Sequence, residues 1–576
     1  MSDQNSPDVR PPRFAAWLAE PMKRNRATFI KVGIAAAMIN IFALITSLFT
    51  MTVYDRVVPN LAFDSLTVLA IGVAIVIIFD FVLRILRAYF IDIAGVDMDR
   101  DIGDSVFNQM MRTRLDARRG STGQLAGLMR ELETLRDFFA SATLTAVVDV
   151  PFILLTLICI AFIGGWIVMV PLVTIPIVVG AGWLSQPALD RLASRSMAGG
   201  LNKQSVLVES IGAMEMVKTS GATPMLRKRW LKSIDDQADA ALRQRLVSNI
   251  AVTIASSANT IAYMGVVVVG VFLVADRNIT TGGIVACSIL AGRVIQPLAQ
   301  IAMLLSRLSL VRTAYRQLDR LMQSAPEGPK GQALKPARLK GKIELRKVDF
   351  RYPGAAEKSL DDFNLTIEPG QKVALIGRVG SGKSTAAKLM LGLYEAQEGL
   401  VMIDGTDVRQ LDPISLRANI GTALQEPVLL SGSVRDNIAL DRPNIDDEEM
   451  LRASEVAGAH AFIGRIANGY DLVLADRGEG LSGGQRQALT LARALAGKPS
   501  VLIFDEPTSG MDAGSEAQLI ERLSEELKDR TVVIVTHRTA LLRLVDRIVV
   551  VEGGKVTQDG PRDTVLQALQ RPRAAA

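Results

Sequence analysis

Six long apolar stretches mark the first half of the chain: Phe29 to Val53, Leu66 to Phe90, Ala140 to Phe162, Trp166 to Leu184, Ile250 to Ala275, and Ile284 to about Leu305. About 20 apolar residues carry a helix across a bilayer core, so the pattern predicts six membrane spans. The connections after the first, third and fifth are short and hold Asp55 and Arg56, Gly164 and Gly165, and Asp276 and Arg277. Those after the second and fourth, Ile91 to Phe139 and Ser185 to Asn249, are long, charged and compatible with helix. Lys and Arg gather in these long loops and in the leading segment, at Arg10, Arg13, Lys23, Arg24 and Arg26. The positive-inside rule therefore places them in the cytoplasm and the short connections outside. Segments around Asp97 to Arg112 and Glu209 to Gly221 are expected to meet a cytoplasmic partner domain.

Near Ala325 the pattern breaks into APEGPKGQALKP, whose prolines and glycines prevent continuous helix. Strand-like runs KVALIG, VLIFDE and TVVIVTH then alternate with helical stretches, the mark of a parallel sheet covered by helices. The expected organisation is multidomain. A cytoplasmic segment (1–28) precedes an all-α transmembrane domain (29–322), a linker (323–339) and an α/β domain (340–572).

Composition narrows the picture. A chain of 576 residues exceeds what one core usually supports. The formal net charge of +6 flanks the apolar runs and forms no single patch, which argues for membrane topology and against nucleic acid. The two cysteines, Cys159 and Cys287, sit inside apolar runs and frame neither a disulfide nor a metal site. The first apolar run is about twice the length of a signal-peptide core and reads as a retained anchor.

Chemistry concentrates in the last 240 or so residues. GRVGSGKS, Gly377 to Ser384, follows the strand run Val373 to Ile376 and leads into helix. Such a loop aims backbone N–H groups at phosphates from a helix N-terminus. Its members, with the next residue, are Gly377, Arg378, Val379, Gly380, Ser381, Gly382, Lys383, Ser384 and Thr385. Lys383 supplies a charge for the β and γ phosphates, and the Ser384 hydroxyl suits Mg²⁺. Downstream, VLIFDE ends a buried strand in Asp505 and Glu506. Asp505 suits Mg²⁺, and Glu506 suits the general base that polarises an attacking water.

LSGGQRQ, Leu481 to Gln487, resembles the signature sequence of ABC transporter ATPases and lies shortly before the carboxylate strand, as in that family. The resemblance implies that Leu481, Ser482, Gly483, Gly484 and Gln485 close over ATP held by a second subunit. It also implies that Tyr352, in FRYP, stacks on adenine and that Gln425, in ALQEP, senses Mg²⁺ and the membrane domain. His537, in VIVTHR, matches the switch histidine. SGMD, Ser509 to Asp512, matches a loop that crosses the dimer interface, with glycine where alanine is commoner. His460 matches no motif. One phosphate loop and one signature per chain require two copies, and the six-span layout resembles a type IV-fold exporter half.

LFTMTVYDRVVPN, VDVPF and TTGGIVACSILAGRVIQPLAQ in the membrane half, with RGEGLSGGQRQ, are similar to type I secretion system permease/ATPases. That resemblance implies a homodimer in a Gram-negative inner membrane, exporting unfolded protein through a periplasmic membrane-fusion adaptor and an outer-membrane channel, with ATP and Mg²⁺. About 28 residues precede the first span, too few for the peptidase-like domain of many members, so leader cleavage is not expected. Export of lipid or small molecules shares every ATP-site residue and is the rival reading; a scaffold with a degenerate site is disfavoured by Lys383, Glu506 and His537. Asp80, Arg84, Arg87, Asp149 and Arg293 would be costly facing lipid, and Asp149 and Arg293 are candidates for the translocation path.

Overall fold

A computed structural model describes residues 15–117, 121–139, 142–329 and 331–570. It separates into two compact units, one comprising Met1–Arg112 and Arg119–Ser324, the other Thr113–Arg118 and Ala325–Ala576.

The first unit is helical: α1 (Ala16–Arg24), α2 (Arg26–Thr52), α3 (Val58–Asn60), α4 (Phe63–Arg112), α5 (Thr122–Phe139), α6 (Ala142–Gly164), α7 (Met169–Gly212), α8 (Met214–Thr219), α9 (Thr223–Ala275) and α10 (Thr281–Met322). The six predicted spans fall on α2, α4, α6, α7, α9 and α10. Among the described residues, five continuous stretches have the length and apolarity to cross a membrane, and one of them, Asp149–Gly212, holds the fourth span and the C-terminal part of the third. At 1.5 Å per residue the 50-residue α4 reaches about 75 Å, more than twice a bilayer core. The charged loops are thus long helical extensions.

Along α9 the buried positions Ala251, Ala255, Ala258, Ala262 and Gly270 recur on one face, where it packs on α7 and α10. Small side chains there let helix backbones approach closely, the usual source of cohesion where no water drives association. A second core joins Leu18 of α1 to Met98, Ile102, Leu135 and Leu318 on the extensions. Trp17 stacks on Tyr315 with ring centroids 5.6 Å apart, and its Nε1 donates to Asp319 at 3.2 Å. Cys159 and Cys287 are both free.

One outer turn differs from its expectation. The chain stays helical beyond Val53, through a π-helical segment Val53–Val57 and α3, and reverses at Leu61, whose φ is 49°. Asp55 breaks no helix. Its carboxylate accepts from Thr280 Oγ1 at 2.6 Å and from the Gly282 N–H at 2.8 Å, so it satisfies the start of α10.

The segments expected to meet a cytoplasmic domain, Asp97 to Arg112 and Glu209 to Gly221, lie in the first unit. The residues that follow α4 belong to the second, where the Arg114 N–H donates to Ala325 O at 3.1 Å and its guanidinium pairs with Asp116 and Glu395.

The second unit contains twelve strands among the described residues: β1 (Ile343–Phe350), β2 (Leu360–Ile367), β3 (Lys372–Ile376), β4 (Glu398–Ile403), β5 (Thr406–Asp407), β6 (Ile420–Ala423), β7 (Gly432–Ser433), β8 (Val473–Leu474), β9 (Val501–Asp505), β10 (Thr531–Val535), β11 (Arg547–Glu552) and β12 (Lys555–Pro561). A six-stranded sheet runs β12-β11-β3-β10-β9-β6, parallel except for β12 at its edge. Alternate residues point to opposite faces, and both faces are buried. Ala374, Leu502, Phe504, Val532 and Ile534 enter one core, while Val373, Leu375, Val501, Ile503, Val533 and Val535 enter the other. A separate antiparallel sheet, β2-β1-β4-β5, stands beside the predicted parallel one.

Candidate nucleotide site

Four neighbouring parallel strands, β3, β10, β9 and β6, bring their C-terminal ends to one sheet edge, the usual ligand crevice of open α/β sheets. Beyond β3 comes the glycine loop; beyond β10, His537; at the end of β9, Asp505 and Glu506; beyond β6, Gln425.

The loop enters the helix Lys383–Met390 with Gly382 at its N-cap. Gly377 has φ of 151°, and a Cβ there would lie 2.1 Å from Val551 O, so only glycine fits. Arg378, Val379 and Gly380 are exposed at the tip, while Ser381 and Thr385 are buried beneath them. Lys383 Nζ donates to Gly377 O at 2.9 Å, Arg378 O at 2.7 Å and Ser381 Oγ at 3.3 Å. Burial pulls the Lys383 ammonium below its ordinary pKa, and the nearby Glu506 and Asp505 carboxylates oppose that pull.

Asp505 is 2 % exposed, and its Oδ1 has no hydrogen-bond partner among the described residues. Burial raises its carboxyl above the usual range and Glu506 adds to the rise, while Ser384, Lys388 and Lys383 favour the ionised form. A buried carboxylate oxygen without a partner, next to the Ser384 hydroxyl, is the hard-oxygen donor set that suits Mg²⁺.

Glu506 occupies the left-handed region at φ 52°, a strained conformation for a non-glycine residue. Its N–H donates to Val535 O at 2.9 Å, and its carbonyl accepts from Gln487 Nε2 at 3.2 Å. Its Oε1 lies 2.7 Å from His537 Nδ1, while the buried Oε2 has no partner among the described residues. Gln487, 1 % exposed, thus holds the backbone at Glu506, a contact that motif reading passed over. The signal was present: a glutamine on the buried face of the helical run GGQRQALTLARAL needs a polar partner.

Tyr352 packs edge-on against Phe350 and Tyr394, at centroid distances of 5.0 and 5.3 Å, and its hydroxyl lies 3.2 Å from Thr385 Oγ1. It therefore borders the phosphate loop. Gln425 is exposed and makes no hydrogen bond to the other candidate residues.

Ser482 N-caps the helix Gly483–Leu495. Its Oγ accepts from the Gln485 N–H at 3.2 Å, and Gln485 Oε1 accepts from the Ser482 N–H at 2.8 Å. The exposed N-terminus of that helix makes no hydrogen bond to Gly377–Thr385 of its own chain among the described residues. Asp512 caps the helix Ala513–Glu526 through the Gly514 and Ser515 N–H groups, and the Ser515 bonds hold its carboxyl below the usual range. His460 Nδ1 lies 3.1 Å from the Tyr470 hydroxyl with the two rings stacked, a local structural contact.

Comparison with known proteins places this geometry. The ABC transporter family matches residues 360–509, and the ABC transporter transmembrane region matches 29–298. The chain belongs to the ABC transporter family. This ABC transporter is 33 % identical over 553 residues to the toxin RTX-I translocation ATP-binding protein of Actinobacillus pleuropneumoniae, covering 96 % of this chain and 78 % of that one. It is 34 % identical over 557 residues, with the same coverage, to the cyclolysin secretion/processing ATP-binding protein of Bordetella pertussis. Its fold matches a bacterial Atm1-family ABC exporter with ATP bound at a TM-score of 0.83 and 22 % identity, over 98 % of this chain and 100 % of that one. The transporter is thus an ATP-driven exporter by family and fold, and its second unit is the ATPase.

Proposed function

We propose that this ABC transporter energises type I secretion, moving unfolded protein across the inner membrane of a Gram-negative bacterium as a homodimer joined to a periplasmic adaptor and an outer-membrane channel. The supporting observation is the reach of the similarity. Relatives named for toxin translocation align over both units, including the membrane unit where cargo must be contacted. The nucleotide site alone is common to exporters of every cargo.

In this reading the domains follow the expected bounds, with 340–572 binding ATP. The loop Gly377–Thr385 and Lys383 hold the β and γ phosphates, and Tyr352 stacks on adenine. Mg²⁺, held by Ser384, Asp505 and Gln425, would offset phosphate charge. Glu506 accepts the proton of the attacking water, and the 2.7 Å contact from His537 holds its carboxylate in place. Leu481 to Gln485 and Asp512 meet the ATP bound by the second copy, since the signature N-terminus carries unpaired N–H groups suited to an anion. ATP joins the ATPase units and hydrolysis releases them, a two-state change that the long helical extensions carry to the membrane path.

The test compares proteins in the medium of cells lacking the chain and complemented with the intact form or with Glu506→Gln. One large protein should vanish and return only with the intact chain. The variant should bind ATP yet hydrolyse it about a hundredfold more slowly or worse, the loss expected for a general base. An unchanged medium with altered membrane lipids or drug tolerance would replace protein with a smaller cargo.

A further inference from the structure

The membrane unit carries a layer of polar groups between the middle and the inner edge of its spans. Asn40 Nδ2 donates to Asp149 Oδ1 at 2.7 Å, linking α2 to α6. Asp80 and Arg84 on α4 form an ion pair at 2.7 Å. Arg87 on α4 is within electrostatic range of Asp149, Arg84 and Asp80, and Arg293 on α10 within range of Arg84 and Asp80. At 1.5 Å per residue, Asn40, Asp80, Asp149 and Arg293 lie roughly 18–26 Å from the outer ends of their helices, inside a 30 Å hydrocarbon core, whereas Arg84 and Arg87 lie about 32–36 Å from that of α4, at the inner edge of the core. The helices α2, α4, α6 and α10 pack on one another, so the layer joins four elements.

Its charge is unbalanced. Three arginines face two aspartates, and each aspartate already has a partner in Arg84 or Asn40. Arg87 and Arg293 are half-buried and make neither a hydrogen bond nor an ion pair with any described residue. At the depth of Arg293 a guanidinium is costly unless an anion or water meets it, and Arg87 stands at the inner mouth of the same layer. Lipid phosphates sit at the bilayer surface, far from Arg293. A planar guanidinium is matched bidentately by a carboxylate, and the neighbouring Asp and Asn acceptors suit peptide N–H groups.

We propose that this layer is a binding station for the carboxylate side chains of an unfolded polypeptide passing through the membrane unit, with Arg293 and Arg87 as its anion-facing groups. The inference rests on the protein-export reading and adds a substrate preference to it: acidic stretches are held more tightly than neutral ones.

The full-length transporter, reconstituted in nanodiscs of zwitterionic lipid, would be titrated with three unstructured peptides of equal length: Glu-Gly-Ser, Gln-Gly-Ser and Lys-Gly-Ser repeats. Fluorescence anisotropy should show the Glu peptide binding most tightly. Arg293→Gln should weaken it about tenfold, the factor for one lost charge-assisted hydrogen bond, and leave the Gln peptide unaffected. Arg293→Lys, which keeps the charge, should retain most of the affinity, and Asp149→Asn should tighten the Glu peptide. Glu-peptide affinity indifferent to Arg293→Gln would overturn the station while leaving the export reading standing. If no peptide of any charge binds the intact transporter, the export reading fails with it. Dependence on anionic lipid content with no peptide dependence would assign the arginines to headgroups instead.

Discussion

The ATPase unit gathers its polar chemistry at one edge of a sheet buried on both faces, where strand ends and a glycine loop set the position of each group. The membrane unit spreads a few polar groups over long helices and joins several of them in pairs across elements. Asp505 and Glu506 stand at the end of a strand whose five residues are all buried, beside a loop whose shape only glycine permits. Asp55, Asn40 and Asp149 find their partners on other helices. The contrast separates two sources of precision. In the ATPase unit backbone geometry places the groups, so losing one should remove chemistry without loosening the fold. In the membrane unit the polar pairs are themselves part of the packing.

The largest effect expected on that basis comes from Asp505→Asn. Loss of the carboxylate beside the phosphates should lower ATP turnover about a hundredfold or more, the scale for removing a key electrostatic group. The fold should gain stability. Burial raises the Asp505 carboxyl above its ordinary 3.8, so at neutral pH the folded state carries an ionised group it disfavours. Asparagine removes that cost. The gain in unfolding temperature should be full above the raised pKa, shrink as pH falls through it, and vanish below 3.8. Calorimetry across that range with Mg²⁺ and nucleotide omitted checks the sign. A variant that is inactive because it is unfolded would break the contrast.

Asp55→Ala should behave oppositely. It deprives Thr280 Oγ1 and the Gly282 N–H of their acceptor at the start of α10. Loss of such a cap costs about 0.5–2 kcal/mol, to be read as earlier thermal unfolding of the detergent-solubilised chain. ATP turnover per folded molecule should change less than about twofold, below the 1.4 kcal/mol that marks a factor of ten. Turnover falling as far as in Asp505→Asn would show that the outer end of the membrane unit governs hydrolysis directly.

The same contrast explains what could be read from the sequence. The spans were legible because bilayer thickness imposes a length on apolar runs, and the phosphate loop and carboxylate strand because their residues are neighbours in the chain. The antiparallel sheet was not, since β1 pairs Ile343 with both Ile367 and Ile403 and nothing local specifies either partner. Nor was the Asp55 cap, whose hydroxyl partner lies 225 residues away. The helical continuation through Val53–Val57 was hidden because Asp55 and Arg56 looked like turn residues, whereas the Asp55 carboxylate is engaged by Thr280 and Gly282 within a helical segment. Gln487 lay within a quoted motif, but its partnership with Glu506 depends on how the helix docks against the strand.

The finest test lies where the signature meets the loop after β9. Gly510 stands where alanine is commoner in the family, and its size alone suggests a harmless exchange. A Cβ at Gly510 would sit 3.0 Å from Gly483 C and 3.2 Å from Gly483 O, tighter than side chains normally approach a backbone. Gly510→Ala must therefore push the Gly483–Gly484 turn aside by a few tenths of an ångström. That turn is the N-terminus proposed to face ATP on the second copy. If a 1 Å displacement costs about a hundredfold, one of 0.3 Å costs about fourfold in ATP turnover, with nucleotide affinity at the chain's own phosphate loop unchanged. Turnover equal to that of the intact chain would mean that the signature moves freely against its own loop and that its position is set only when the two copies meet.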